Sequence, residues 1–168
     1  YQNRLLLFPS PRLDDESMGI SHVKVDGRFA GGVNVEEAKR VLIEAKKYMA
    51  QFPDQSIGIV AMNIRQRDHI EEELRRLADT DSIVREYFDN WQGKILHYPF
   101  VKNLERVKGD ERDTIIISTV YGKDESGNMY QRFPLINTEH GHRRLNVLFT
   151  RAKHRIVLIT SMSPADIK

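Results

Sequence analysis

Two periods of apolar residues take turns along this chain. Ile20 to Val25 (ISHVKV) alternates apolar and polar residues, which predicts a half-buried strand. From Asn34 the step lengthens. Val35, Ala38, Val41, Leu42, Ala45 and Met49 recur at threes and fours, the stripe of an amphipathic helix. Asn34 reads as its N-cap, Glu37 stands at the capping-box position, and Pro53 stops the helix near Gln51. Ser56 to Ala61 (SIGIVA) is a short apolar run, the pattern of a strand covered on both faces. A second helix follows, with Ile70, Leu74 and Leu77 inward and Glu71–Arg75 and Glu72–Arg76 as outward pairs.

The pattern weakens from Asp79 to Tyr98, with helical hints over Ile83 to Phe88 and a break at Gly93. Thr114 to Val120 (TIIISTV) is the strongest β signal. After a polar loop, Leu145, Leu148, Phe149 and Ala152 trace a helical face, predicting a helix from Arg144 to Lys153. Arg155 to Thr160 (RIVLIT) closes as another buried strand. Strands alternating with helices predict an α/β domain of three layers, a mostly parallel sheet flanked by helices on both faces. Residues 1–33 read as an irregular lead-in with one strand, broken by Pro9, Pro11, the acidic turn Leu13 to Glu16, and the pairs Asp26-Gly27 and Gly31-Gly32.

Composition narrows the class. The chain has 168 residues, enough for one domain with a proper core. Hydrophobic residues are 40% and charged residues 30%, which excludes a disordered or collagen-like chain. The longest apolar runs are about four residues, far below the ~20 of a membrane span. Cysteine is absent, so there is neither disulfide nor thiolate chemistry, and a reducing cytoplasm fits. Beginning at Tyr1 without a signal-like segment, the sequence reads as a piece of something longer. The formal charge of +2 is too mild to announce a nucleic-acid partner. Its distribution says more, because Gly141 to Arg155 carries five Arg or Lys and no acid.

Several chemistries are missing. No G-x-x-x-x-G-K-[ST] loop occurs, no apolar strand runs into an Asp-Glu pair, and there is no G-x-S-x-G elbow. Paired carboxylates and lysine for a nuclease are also lacking. His140 and His142, with Glu139, read as surface loop residues rather than a metal site. On a continuous helix Arg144 and Arg151, seven positions apart, lie about 20° from each other. That flank is either a solvated basic face or a phosphate clamp, since the guanidinium fork matches phosphate oxygens. The polar stretch from Val101 to Asp113, with Gly109 inside it, reads as a loop entering the strongest strand.

Together these segments resemble the second RecA-like domain of superfamily 1 helicases, of the 1B group that includes the nonsense-mediated-decay helicase. SIGIVAMNIRQRDHIEEEL (56–74) looks like motif IV, VKNLERVKGDERDTIIIS (101–118) like motif V, and RRLNVLFTRAKHRIVLI (143–159) like motif VI. The opening YQNRLLLFPSPRLDDESMG is similar to a bacterial family of long, uncharacterised helicases with F-Y-x-N-x-L-x-x-F-P-S-P there.

The resemblance implies roles. Arg151 matches the arginine finger of motif VI, and Arg144 a supporting residue. Glu111 matches the motif V acid at the nucleotide ribose or nearby phosphates, and Gly109 lets backbone approach the nucleotide. Asn63, Arg65 and Gln66, with Val101, Lys102 and Asn103, match positions that meet the nucleic-acid backbone. Lys108 stands where the group usually has Gln, and the group's Y-R-[SM] arginine would lie upstream of Tyr1. The implied partners are single-stranded DNA or RNA and the N-terminal RecA-like domain of the same chain. That absent domain would hold most of the ATP and Mg²⁺ contacts, so the fragment alone is expected neither to hydrolyse ATP nor to unwind. The other class to weigh is a non-catalytic nucleic-acid-binding or interaction domain that has kept the fold.

Overall fold

The computed structural model describes residues 18–129, 141–163 and Asp166. Five strands and four helices follow one another as β1 (Gly19–Lys24), α1 (Val35–Gln51), β2 (Ile57–Ala61), α2 (Ile64–Thr80), α3 (Ser82–Trp91), β3 (Phe100–Asn103), β4 (Arg112–Ser118), α4 (Gly141–Phe149) and β5 (Ala152–Thr160). They build one sheet in the order β1-β5-β4-β2-β3, with every neighbouring pair parallel. This is the three-layer α/β arrangement that the alternation predicted.

The faces follow from handedness. The crossovers β1-α1-β2 and β2-α2-α3-β3 run one way across the sheet, whereas β4-α4-β5 runs the other way. Right-handed connections therefore put α1, α2 and α3 on one face and α4 on the opposite face. Helices α1, α2 and α3 pack on one another, and α4 packs on β5, as that rule requires. Buried on both faces, the central strands read as runs rather than alternations. All five β2 residues are buried, and so are Ile115, Ile116 and Ile117 of β4.

Local chemistry sets the helix ends. Asn34 accepts a hydrogen bond from the Glu37 N–H (3.1 Å) as the N-cap of α1, and Asn63 does the same from Gln66 (2.8 Å) for α2. Asp81 ends α2 and caps α3 through the N–H groups of Ile83 and Val84. The outward pairs Glu71–Arg75 and Glu72–Arg76 form at 2.7 and 2.5 Å.

Four expectations change. Glu37 does not reach back to complete a capping box, because its carboxylate is buried and the Asn34 N–H goes to Gln66 Oε1 (2.8 Å) instead. Val35 faces solvent, and Tyr48 takes a place in the buried stripe of α1. The stretch read as a polar loop begins with an edge strand, since Phe100 to Asn103 pairs with β2. The helix read as running to Lys153 stops at Phe149, and Ala152 opens β5 opposite Arg112. The acidic turn at residues 13–16, Glu139 and His140 lie outside the described residues, as does the side chain of His142.

Candidate functional site

Because all strands point one way, the sheet has two chemically distinct edges. At the edge where strands begin, Glu111 immediately precedes β4 and Arg151 immediately precedes β5. The two strands are neighbours, and the Arg112 N–H donates to the Arg151 carbonyl (3.0 Å). Sequence positions 39 residues apart thus meet across one inter-strand hydrogen bond. Gly109 sits in the adjoining turn with φ +91°, where a Cβ would meet nothing within 4 Å. That backbone is open to a ligand, and its left-handed conformation favours glycine. Lys102, grouped by sequence with the nucleic-acid contacts, is found here instead, its Nζ 2.6 Å from Asp110 Oδ2.

Arg151 is not on the helix with Arg144, so the flank expected from a continuous α4 does not form. The last carbonyls of α4 are claimed locally. Thr150 Oγ1 donates to the carbonyls of Asn146 and Val147 (both 3.0 Å), and the Arg151 N–H closes on Leu148 (3.1 Å). Arg151 Nε adds a bond to the Val147 carbonyl (2.9 Å), and an Nη contacts Thr150 Oγ1 (3.2 Å). The chain then enters β5. Arg144 is exposed on α4, five residues before its end. Arg151 is set by the helix–strand junction and Arg144 by the helix surface.

At the opposite edge, Asn63, Arg65 and Asn103 line one cleft of about 340 Å³ with Met62, Ile64, Glu105 and Tyr121. Arg65 donates to the Gly31 carbonyl (2.7 Å) and Asn63 Nδ2 to the Gly32 carbonyl (3.0 Å), tying the cleft to the loop before α1. Asn103 is 2% exposed; Nδ2 lies 3.5 Å from Glu105 Oε2, and Oδ1 has no partner among the described residues. Val101 sits within β3, half-buried. Gln66 does not line the cleft. It is fully buried, donating to the Asn34 carbonyl (2.9 Å) and Ser118 Oγ (3.2 Å), so its part is to position Asn34 and not to touch a strand.

Crossover directions reverse between β2 and β4, and in open α/β sheets the crevice beyond the strand ends at such a reversal is the usual ligand site. Here side chains fill it. Asn34, Glu37, Gln66 and Ser118 are all fully buried. The Glu37 carboxylate accepts from Ser118 Oγ (2.7 Å), Thr119 Oγ1 (3.2 Å) and the N–H groups of Val120 (2.7 Å) and Ser161 (2.8 Å). Burial pushes its pKa above the ordinary 4.5, against the lowering effect of these bonds. Val120 has φ +71°, a strained value for a β-branched residue, and its N–H is held by that carboxylate. Gly27 is required nearby, because a Cβ there would lie 2.2 Å from Asn34 Oδ1. The crevice is a structural polar core.

Residues 16–163 match the family model described as AAA domain. The chain belongs to the AAA domain family. This AAA domain is 34% identical over 168 residues to a Mycoplasma pneumoniae protein named uncharacterized ATP-dependent helicase MG140 homolog, and 35% identical over 170 residues to its Mycoplasma genitalium counterpart. The alignments cover 98% and 99% of this chain but 14% of each relative, so the chain spans about one seventh of their length. A solved Lactobacillus chain, described as the C-terminal domain of a possible DNA helicase, is 14% identical with a TM-score of 0.49, covering 90% of this chain and 79% of that one. The expected kinship with helicase domains is borne out by the family and the two relatives. No helix among the described residues of the AAA domain is long and apolar enough to cross a membrane, and they hold no group of three or more His, Asp or Glu placed for a metal ion.

Reading the sequence alone missed Glu37 as a hub and Arg112 as a buried cation. Each left a faint signal. Glu37 stands at a position that also suits a cap, and Arg112 is a charge immediately before the most apolar strand.

Proposed function

We propose that this chain is the second motor domain of an ATP-dependent superfamily 1 helicase, working across a cleft from an N-terminal RecA-like domain of the same protein. The observation that carries the reading is the Arg112–Arg151 main-chain bond, which sets Glu111 and Arg151 side by side at one edge of the sheet. An exposed carboxylate, an open glycine turn and a guanidinium at a strand start suit a ribose and a phosphate better than they suit packing. ATP with Mg²⁺, held mainly by the first domain, supplies the phosphoanhydride whose hydrolysis drives the motor. Arg151 acts as the finger. To reach a γ-phosphate its guanidinium exchanges the bonds to Val147 and Thr150 for phosphate oxygens, which couples transition-state charge stabilisation to cleft closure. Arg144 supports it from α4, Glu111 orients the ribose, and the Gly109 backbone lies against the nucleotide.

On the opposite edge, the Asn63–Arg65–Asn103 cleft carries one stretch of the single-stranded DNA or RNA track. Main-chain and amide contacts there are independent of sequence, as translocation requires. Separate edges let a change at the nucleotide reach the strand through the rigid sheet between them.

The test is Arg151→Ala in the full-length helicase. Nucleic-acid-stimulated ATP turnover should fall by about 10³-fold while single-strand affinity stays within about twofold. Turnover near that of the wild type removes the finger assignment. The 168-residue chain by itself should show no stimulated ATP hydrolysis.

A further inference from the structure

Glu111 and Gly109 lie on a turn that is gripped from within the domain. Arg112 is 4% exposed, and its guanidinium bonds go to main-chain carbonyls rather than to a carboxylate. Nε and one Nη reach Tyr98 (3.2 and 2.7 Å), and the other Nη reaches Glu111 (2.6 Å). Its Cζ lies 4.7 Å from the centroid of the Phe100 ring. Lys102 Nζ lies 5.0 Å from the same centroid and pairs with Asp110. Phe100 is itself fixed by packing over Gly58, where a Cβ would lie 2.6 Å from the ring's Cζ. One aromatic ring therefore supports two cations that hold consecutive residues of the turn, Asp110 by its side chain and Glu111 by its carbonyl. The backbone of Arg112 extends the grip to Arg151.

Burying a guanidinium is costly, and a strand start needs only a backbone donor, which any residue but proline supplies. The planar fork is what the site uses. It bridges the carbonyl of Tyr98, two residues before β3, to the carbonyl before β4 from separate nitrogens held in one plane, a geometry that a single ammonium nitrogen lacks. We infer that Arg112 is the positioning residue of the nucleotide-facing turn, holding Glu111 where its carboxylate accepts a hydrogen bond from the ribose 2′-hydroxyl. This rests on the reading of Glu111 as a ribose contact.

The experiment compares kcat/KM for ATP and 2′-deoxyATP in the full-length helicase. The ratio cancels the active fraction of a preparation, so a general loss of folding leaves it unchanged. The wild type should prefer ATP by about tenfold, the worth of one hydrogen bond to a charged acceptor. Glu111→Ala should bring the preference to near unity. Arg112→Lys, which keeps the charge without the fork, should do the same although it leaves Glu111 in place. Arg112→Gln replaces it if the lysine variant is insoluble. Loss of preference in Glu111→Ala with full preference in the Arg112 variant overturns the inference and leaves the ribose contact standing. A wild type that uses both nucleotides equally, or a Glu111→Ala protein that keeps the preference, overturns the ribose contact and the inference with it. Loss in both variants supports it.

Discussion

Glu37→Gln in the 168-residue chain probes the polar core with almost no change of volume. In the wild type one carboxylate oxygen receives the Val120 N–H and Ser118 Oγ, and the other receives the Ser161 N–H and Thr119 Oγ1. An amide offers one oxygen and one NH₂. The hydroxyls can rotate to accept, but a backbone N–H cannot. Whichever way the amide turns, one N–H, of buried Val120 or of half-buried Ser161, faces a donor. An orphaned buried donor costs about 1–3 kcal/mol, and losing the charge gives back part of its desolvation cost. A net loss of about 2 kcal/mol is expected at pH 7, or a melting temperature lower by roughly 4–8 °C for a domain of this size. If Val120 is the residue released, its strained φ should relax as well, and amide exchange at residues 119–121 should rise above that of the β4 interior. The assay is thermal and urea unfolding of both proteins, with hydrogen exchange as the local readout. A Glu37→Gln protein that melts within about 1 °C of the wild type would show that these donors do not depend on the carboxylate.

Three further outcomes are expected. Asn63→Ala removes the cap of α2 and the bond to the Gly32 carbonyl, and should lower stability by about 1–2 kcal/mol in urea unfolding; an unchanged midpoint refutes the capping role. Asp113 accepts from the N–H and Oγ of Ser56 (both 2.7 Å), tying the starts of β2 and β4. Although burial alone would raise its pKa, these bonds and the nearby His154 and Lys153 hold it below 3.8 in the folded state. Its stabilisation is therefore present above pH 3.8 and lost as pH falls through the lower folded value. The stability gap between wild type and Asp113→Ala should be constant near neutrality and shrink below pH 3.8, and a gap independent of pH would be the contrary result. Gly58→Ala places a Cβ 2.6 Å from Phe100 Cζ and 2.8 Å from Ile115 Cδ1, and should destabilise by about 1–3 kcal/mol in thermal unfolding; no loss would mean that the ring moves freely.

How far the sequence could be read varies with the physics involved. Apolar periodicity identified α1, β2, α2, β4 and β5 because each buries a face wide enough to stamp a repeat on the chain. Phe100 to Asn103 was hidden because an edge strand of four residues, half-exposed, carries too short a repeat. The end of α4 was hidden for a different reason. Ala152 continues the helical spacing of Leu145, Leu148 and Phe149, but its backbone is taken by the sheet opposite Arg112, and Thr150 and Arg151 absorb the released carbonyls. Pairing with a strand distant in sequence outweighed the local pattern. The motif residues show the same division, since the family resemblance picked out Arg151, Glu111 and Asn63 but not the edge each would occupy.

By itself, the sequence determined the alternation of elements, the parallel sheet with helices on both faces and the cap at Asn34, because each is written in local periodicity or residue chemistry. Tertiary structure alone decided that Lys102 joins the turn of Gly109 and Glu111, that Gln66 and Glu37 seal the crevice between β2 and β4, and that Arg112 bridges Tyr98, Glu111 and Arg151. Those relations depend on strand order. A parallel sheet joins strands whose partners are far apart along the chain, and no local pattern records which carbonyl a buried side chain will meet.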